Sequence, residues 1–319
     1  FGDDLPRQVL DVYKAHARIA VLKTLHNDGD SLNVPRLLSE IRDANQTYGI
    51  RLFNMSVNIG SAKKYNQPAS DFAYELDKLA YELDILIVIS VGKFNADDLR
   101  ELVNAGQCYH PSHDYPVFFY DFDSTSPYHS CWHTNLKEPA ESLNNISVGA
   151  LAGNLEDRDV TDISPLAELP AYYTRKFHYD ITQDLNGTPQ STRQHSRHLN
   201  KPDLVIDGGD IHREDAGIEI LSAPTAATGH YFGRTAGTSI AAPLVTNYAA
   251  RLLHAYPNLR MQSIKALLIN NAQLPAGKNP HIFRNFKIDL YKKLVGFGKP
   301  STSNLIATDD NTVTFVIED

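Results

Sequence analysis

The stretch GRTAGTSIAAPLVTNYAARLLHAYP, residues 233–257, sets a serine between a glycine turn and an apolar helical run. A serine that opens a helix is ordinarily an N-cap, its oxygen accepting free backbone N–H groups. The neighbours of Ser239 suggest a second role. Gly237 and Thr238 precede it, Ala241 and Ala242 follow, and Pro243 falls early in the helix, where a missing N–H does no harm. Small neighbours let a substrate backbone approach. The helix N-terminus presents N–H groups and positive partial charge to a developing oxyanion. This is the chemistry of a hydroxyl attacking a carbonyl, and it requires a base within hydrogen-bond reach.

A second concentration of reactive side chains lies at 108–133, where both cysteines of the chain and four histidines cluster. Cys108, His110, Cys131 and His133 form two Cys-x-His pairs that could place two thiolates and two imidazoles around zinc, with Asp121 and Asp123 as further donors. The spacing matches no zinc module. A Cys108–Cys131 disulfide, or free thiols beside ordinary loop histidines, are the competing readings. The aromatics Tyr115, Phe118, Phe119, Tyr120, Phe122 and Trp132 fit packing of this segment onto the body, or a substrate subsite. No acidic loop has ligand spacing that assigns calcium.

Elements that would carry these groups follow from hydrophobic period. Residues 18–25, 50–57, 84–92, 144–151 and 202–206 are strand-sized apolar runs, and ILIVIS within the third is of the kind buried on both faces. Between them Val34, Leu37, Leu38, Ile41 and Ala44 share one helical face, as do Phe72, Leu76, Leu79, Ala80 and Leu83. Further helices are predicted over 239–256 and 260–273. Strand alternating with helix implies an α/β fold, a parallel sheet covered by helices.

At 319 residues the chain can bury a substantial core, and 42% hydrophobic with 21% charged residues is the balance of a globular protein. A net charge of −8 argues against nucleic acid or an anionic membrane as the main partner. No apolar run reaches membrane-spanning length. The first residues, FGDDLPRQVL, have no basic region followed by an apolar one. Two cysteines leave the compartment open.

The string GTSIAAP resembles the Gly-Thr-Ser-x-Ala-x-Pro nucleophile motif of the subtilisin-like serine proteases. Five more segments are similar to that family's motifs and occur in its order: IAVLKTLHNDGDS, LFNMSVNIG, ILIVISVGK, EPAESLNNISVGAL and KPDLVIDGGDI. The resemblance implies a subtilisin-like parallel sheet flanked by helices, with Ser239 as nucleophile and its own N–H as half of the oxyanion hole. It implies that Ser56, Val57 and Asn58 pair with a peptide or protein substrate as an added strand. Ser90, Val91 and Gly92 would wall the pocket for the residue before the scissile bond. It requires no cofactor, and zinc or calcium stay open.

Two departures accompany it. Where the family has Asn after its Ala-Gly, this chain has Lys93. Either Lys93 donates to the oxyanion, or Asn95 swings in, or Lys93 faces solvent and the hole is impaired. The family's Asp strand and His-Gly-Thr helix also have no counterpart: none of the thirteen histidines is followed by Gly-Thr. Three explanations stand: the Asp and His lie upstream of Phe1, they lie on another polypeptide, or the protein binds peptides without cleaving them. On this reading residues 1–298 form a partial peptidase domain with an insertion at 105–138. Residues 299–319 form a linker and the start of a β module, and the first strand and histidine helix are missing.

Overall fold

A computed structural model of the chain describes residues 17–25, 31–63, 67–94, 119, 134–152, 168–177, 201–209, 218–221, 232–275, 288–301, 305 and 316–318. Its centre is a four-stranded parallel sheet in the order β1-β3-β5-β6, made of β1 (Leu52–Met55), β3 (Leu86–Ser90), β5 (Ile146–Leu151) and β6 (Leu204–Asp207). The register aligns Leu52 with Leu86, Val88 with Ile146, and Val148 with Leu204. Three antiparallel pairs surround it: β2 (Ile59–Ala62) with β4 (Lys137–Glu138), β7 (Ile218–Leu221) with β8 (Phe232–Thr235), and β9 (Ala272–Gln273) with β10 (Lys299–Pro300).

Helices cover both faces, and β3 shows why its sequence is apolar throughout. Side chains of a strand alternate between faces. Ile87 and Ile89 join the core beneath α1 (Val34–Tyr48) and α2 (Asp71–Leu83), while Leu86 and Val88 join the core on the other side. That second core is filled by Ala241, Val245 and Leu252 of α3 (Thr238–Ala255) and by Met261, Ile264 and Leu268 of α4 (Met261–Asn271). Leu294 and Val295, closing α5 (Ile288–Val295), complete it. Each such fully buried Val, Leu, Ile or Met side chain contributes about 1.5–3 kcal/mol.

The caps separate α3 from its neighbours. Asn33 Oδ1 accepts the Arg36 N–H at the start of α1, and Ser70 Oγ accepts the Ala73 N–H at the start of α2. Helix α4 borrows a cap from elsewhere, Asp84 Oδ1 accepting from Met261 N–H at 2.9 Å. Among the described residues no side chain caps α3, whose N-cap is Gly237.

Residues 18–25, expected as a strand, enter no ladder, and Ile19 and Val21 are largely exposed. A parallel strand is held only by a neighbour, and among the described residues β1 forms the edge of the sheet on that side.

Candidate active site

The carboxyl ends of β1 and β3 meet the start of α3, the crevice where open α/β sheets bind ligands. Gly237 sits at φ +156°, ψ 162°, a region essentially restricted to glycine. Its N–H donates to Gly208 O at 2.9 Å, which ties the serine turn to the end of β6. Ile240 and Ala241 return their N–H groups to Gly237 O. The N–H groups of Thr238 and Ser239 fall in the first turn, where no intrahelical acceptor exists. Among the described residues no side chain caps α3, so these are the donors through which the helix could meet a ligand. Ser239 itself is half-buried and caps nothing. The hydroxyl of Thr238 is buried beside it and has no hydrogen-bond partner among the described residues.

Pro243 corrects its sequence reading. It is the sixth residue of α3, so its missing N–H removes the helical donor to the carbonyl four residues before, that of Ser239. Ser56 Oγ donates to that carbonyl instead, at 3.3 Å. The proline thus frees an acceptor on the serine residue for the end of β1. Asn54 Nδ2 donates to Ser56 Oγ at 3.3 Å, and Thr246 Oγ1, two turns along α3 from Ser239, donates to Asn54 Oδ1 at 3.1 Å.

The two expected substrate walls face one another. Asn58 Nδ2 donates to Ser90 O at 2.8 Å, and Ser90 Oγ donates to Asn58 Oδ1 at 3.2 Å. Val57 and Val91 turn their side chains into the α1/α2 core. Val91 also spends its backbone groups internally, donating to Val148 O and accepting from Lys137 N–H. Gly92, at φ +86°, lies where an added Cβ would come within 3.3 Å of Arg175 Cδ.

Lys93 follows directly on this wall, with its side chain exposed. A Cβ built at Gly237 would stand 3.6 Å from Lys93 Cδ, so the lysine chain lies along the serine turn, two bonds short of its ammonium. Its carbonyl accepts from Arg175 Nη2 at 3.4 Å, and the Arg175 guanidinium stacks 4.1 Å from the centre of the Phe94 ring. Behind it the fully buried Lys176 donates to Asn135 Oδ1 at 2.8 Å, and burial pushes its ammonium well below the usual lysine range.

The structure therefore brings Ser239, Ser56, Asn58, Ser90, Gly92 and Lys93 into one region. Asn95 and the cluster Cys108, His110, Cys131 and His133 lie outside the described residues. Among the described residues no group of three or more His, Cys, Asp or Glu side chains could hold a metal. The one described histidine, His254, is in the last turn of α3, about 22 Å from Ser239 along the helix axis, too far to serve as its base.

Sequence reasoning missed Tyr173. Its carbonyl accepts from Phe94 N–H at 3.0 Å, beside Lys93, and its hydroxyl lies 2.7 Å from the carbonyls of both Gly208 and Gly209. It thus joins the Lys93 segment to the loop that holds Gly237. Nothing in the string PAYYTRKF marks it, because its partners lie far along the chain.

A model of the subtilase family matches residues 14–298. The protein y4bN of Sinorhizobium fredii (strain NBRC 101917 / NGR234), uncharacterized, is 26% identical over 304 residues, covering 88% of this chain and 62% of that protein. The chain thus spans less than two thirds of that relative's length. Among solved structures, the prenylagaramide maturation protease PagA is similar at a TM-score of 0.49 and 16% identity, over 89% of this chain and 70% of that one. MycP1 with its N-terminal propeptide removed is similar at 0.47 and 12%, over 87% and 68%. With its nucleophile motif, its parallel sheet and a family match over most of its length, the chain belongs to the subtilase family.

Proposed function

We propose that this chain carries the nucleophile half of a serine endopeptidase that cleaves peptide bonds through an acyl intermediate on Ser239. The observation that carries it is the uncapped start of α3, where Ser239 stands between free N–H groups and two strand ends able to hold a peptide. Ser239 N–H and the Lys93 ammonium are the oxyanion donors. The charge on Lys93 suits an oxyanion, and its chain already lies along the serine turn. The Asp and His that activate the hydroxyl come from polypeptide beyond these 319 residues, upstream or on a partner. Alone, the chain does not turn over. Peptide hydrolysis by the longer protein, or by this chain with its complement, tests the assignment. Ser239→Ala lowers kcat by about 10³-fold or more with the melting temperature retained; full activity in that variant excludes Ser239.

A second reading, a peptide-binding protein without turnover, is favoured by one observation, the lysine where the family has asparagine. Lys93→Asn separates the two. It preserves or raises the rate of a protease and leaves a binder inert.

A further inference from the structure

Three segments meet beside Ser239. Ser56–Asn58 forms one wall and is tied to the serine residue by Ser56. Ser90–Gly92 forms the second. Strand β4 closes the third, with Lys137 N–H on Val91 O and Glu138 paired with Ile59. Between the first two walls runs the Asn58 side chain. Both ends of its amide are engaged by one residue of the opposite wall, Ser90, which is fully buried. The walls cannot easily spread. A Cβ at Gly92 would already lie 3.4 Å from Asn58 Oδ1 and 3.3 Å from Arg175 Cδ, so that wall is closely packed against both side chains. Nor can Asn58 swing away without cost, because the Ser90 carbonyl and hydroxyl would each lose a partner.

We propose that Asn58 is a specificity-determining residue, whose clasp on Ser90 narrows the slot so that it takes glycine, alanine or serine before the scissile bond and rejects aromatic and long aliphatic side chains. This rests on the peptide-cleaving reading and supplies its substrate class. In an open apolar slot each added methylene improves binding; in a clasped one it must displace the amide.

The test is calorimetric binding of Ac-Ala-Ala-Ala-Ala and Ac-Ala-Ala-Ala-Phe, free acids that mimic the cleaved product, to the Ser239→Ala form of the 319-residue chain. With Asn58 present the alanine peptide binds tighter by about tenfold or more, the discrimination a few methylenes carry in such a slot. Asn58→Gly brings the two within about threefold or reverses them, and Ser90→Ala, which loosens one end of the clasp, falls between. If Asn58→Gly does not melt cooperatively, Asn58→Ala takes its place. Equal binding of both peptides with Asn58 present, or an undiminished preference in the folded variant, overturns the role of Asn58 alone. Absence of binding by every form overturns the peptide site itself, and this proposal with it.

Discussion

The two ends of the four-stranded sheet treat their polar groups in opposite ways. At the amino end the turn 142–145 is saturated. Asp77 takes the Ser142 hydroxyl and the N–H groups of Leu143 and Asn144. Lys201 donates to Ser142 O, Lys265 to the carbonyls of Leu143 and Asn145, and Gln262 to Asn144 O. Asp203 closes the set, accepting from Lys201 and from both the N–H and hydroxyl of Ser147. Burial lowers the Lys265 ammonium, while Asp203 and Asp77 pull it up and Lys201 adds to the lowering. At the carboxyl end, among the described residues, no side chain caps α3 and the Thr238 hydroxyl has no partner. Satisfied polar groups hold the architecture, and the open ones are where a substrate can still gain something. The contrast separates stability from chemistry within one sheet.

Substitutions at the two ends sharpen that contrast. The largest stability effect belongs to the amino end: Asp203→Ala strands the buried Lys201 ammonium and costs about 3–5 kcal/mol in urea unfolding. A loss below 1 kcal/mol would mean the end is not the structural anchor described. Lys93→Ala at the other end reverses the pattern. It lowers kcat of the active protein by about 10²-fold, near 3 kcal/mol of transition-state binding, with the melt unmoved. Less than a twofold change removes Lys93 from the oxyanion site.

Gly208→Ala crosses the division. Its Cβ would stand 2.5 Å from Ala150 Cβ and 2.6 Å from the Tyr173 hydroxyl, and the Gly208 carbonyl holds Gly237. Overpacking costs about 1–3 kcal/mol, and here activity should fall further than stability explains. The smallest effect is a pH slope. Lys176 has a folded pKa below its unfolded value of about 10.4, so between the two the unfolded chain binds more protons and stability rises with pH. Below the folded value the penalty is fully present. Unfolding at two alkaline pH values should show this rise in the parent and a flatter response in Lys176→Met.

Much of the frame was legible from period alone. Strands β1, β3 and β5 fall within the runs expected for them, β6 runs one residue past its own to Asp207, and Leu37, Ile41, Phe72 and Leu76 are buried on the faces their spacing assigned. Runs such as ILIVIS announce themselves because both faces are covered. The segment 18–25 has the same look, yet period cannot say whether a neighbouring strand is present. Pro243 was misplaced by a few residues, since the helix start depends on the Gly237 backbone rather than on composition. The site's polar links were not legible. Asn58 and Ser90 are 32 residues apart, and Tyr173 and Gly208 are 35 apart. Such contacts join loop ends across the fold, and no local pattern encodes them.

The central proposal is that Ser239 is poised as a nucleophile and takes its base from beyond these 319 residues; among the described residues no histidine lies within its reach. The most direct measurement is hydrolysis of a fluorogenic peptide library by the purified chain, with and without Ser239→Ala. The account predicts no turnover above the Ser239→Ala background, with peptide binding retained. Turnover that disappears in Ser239→Ala would contradict it and place a base in the chain itself.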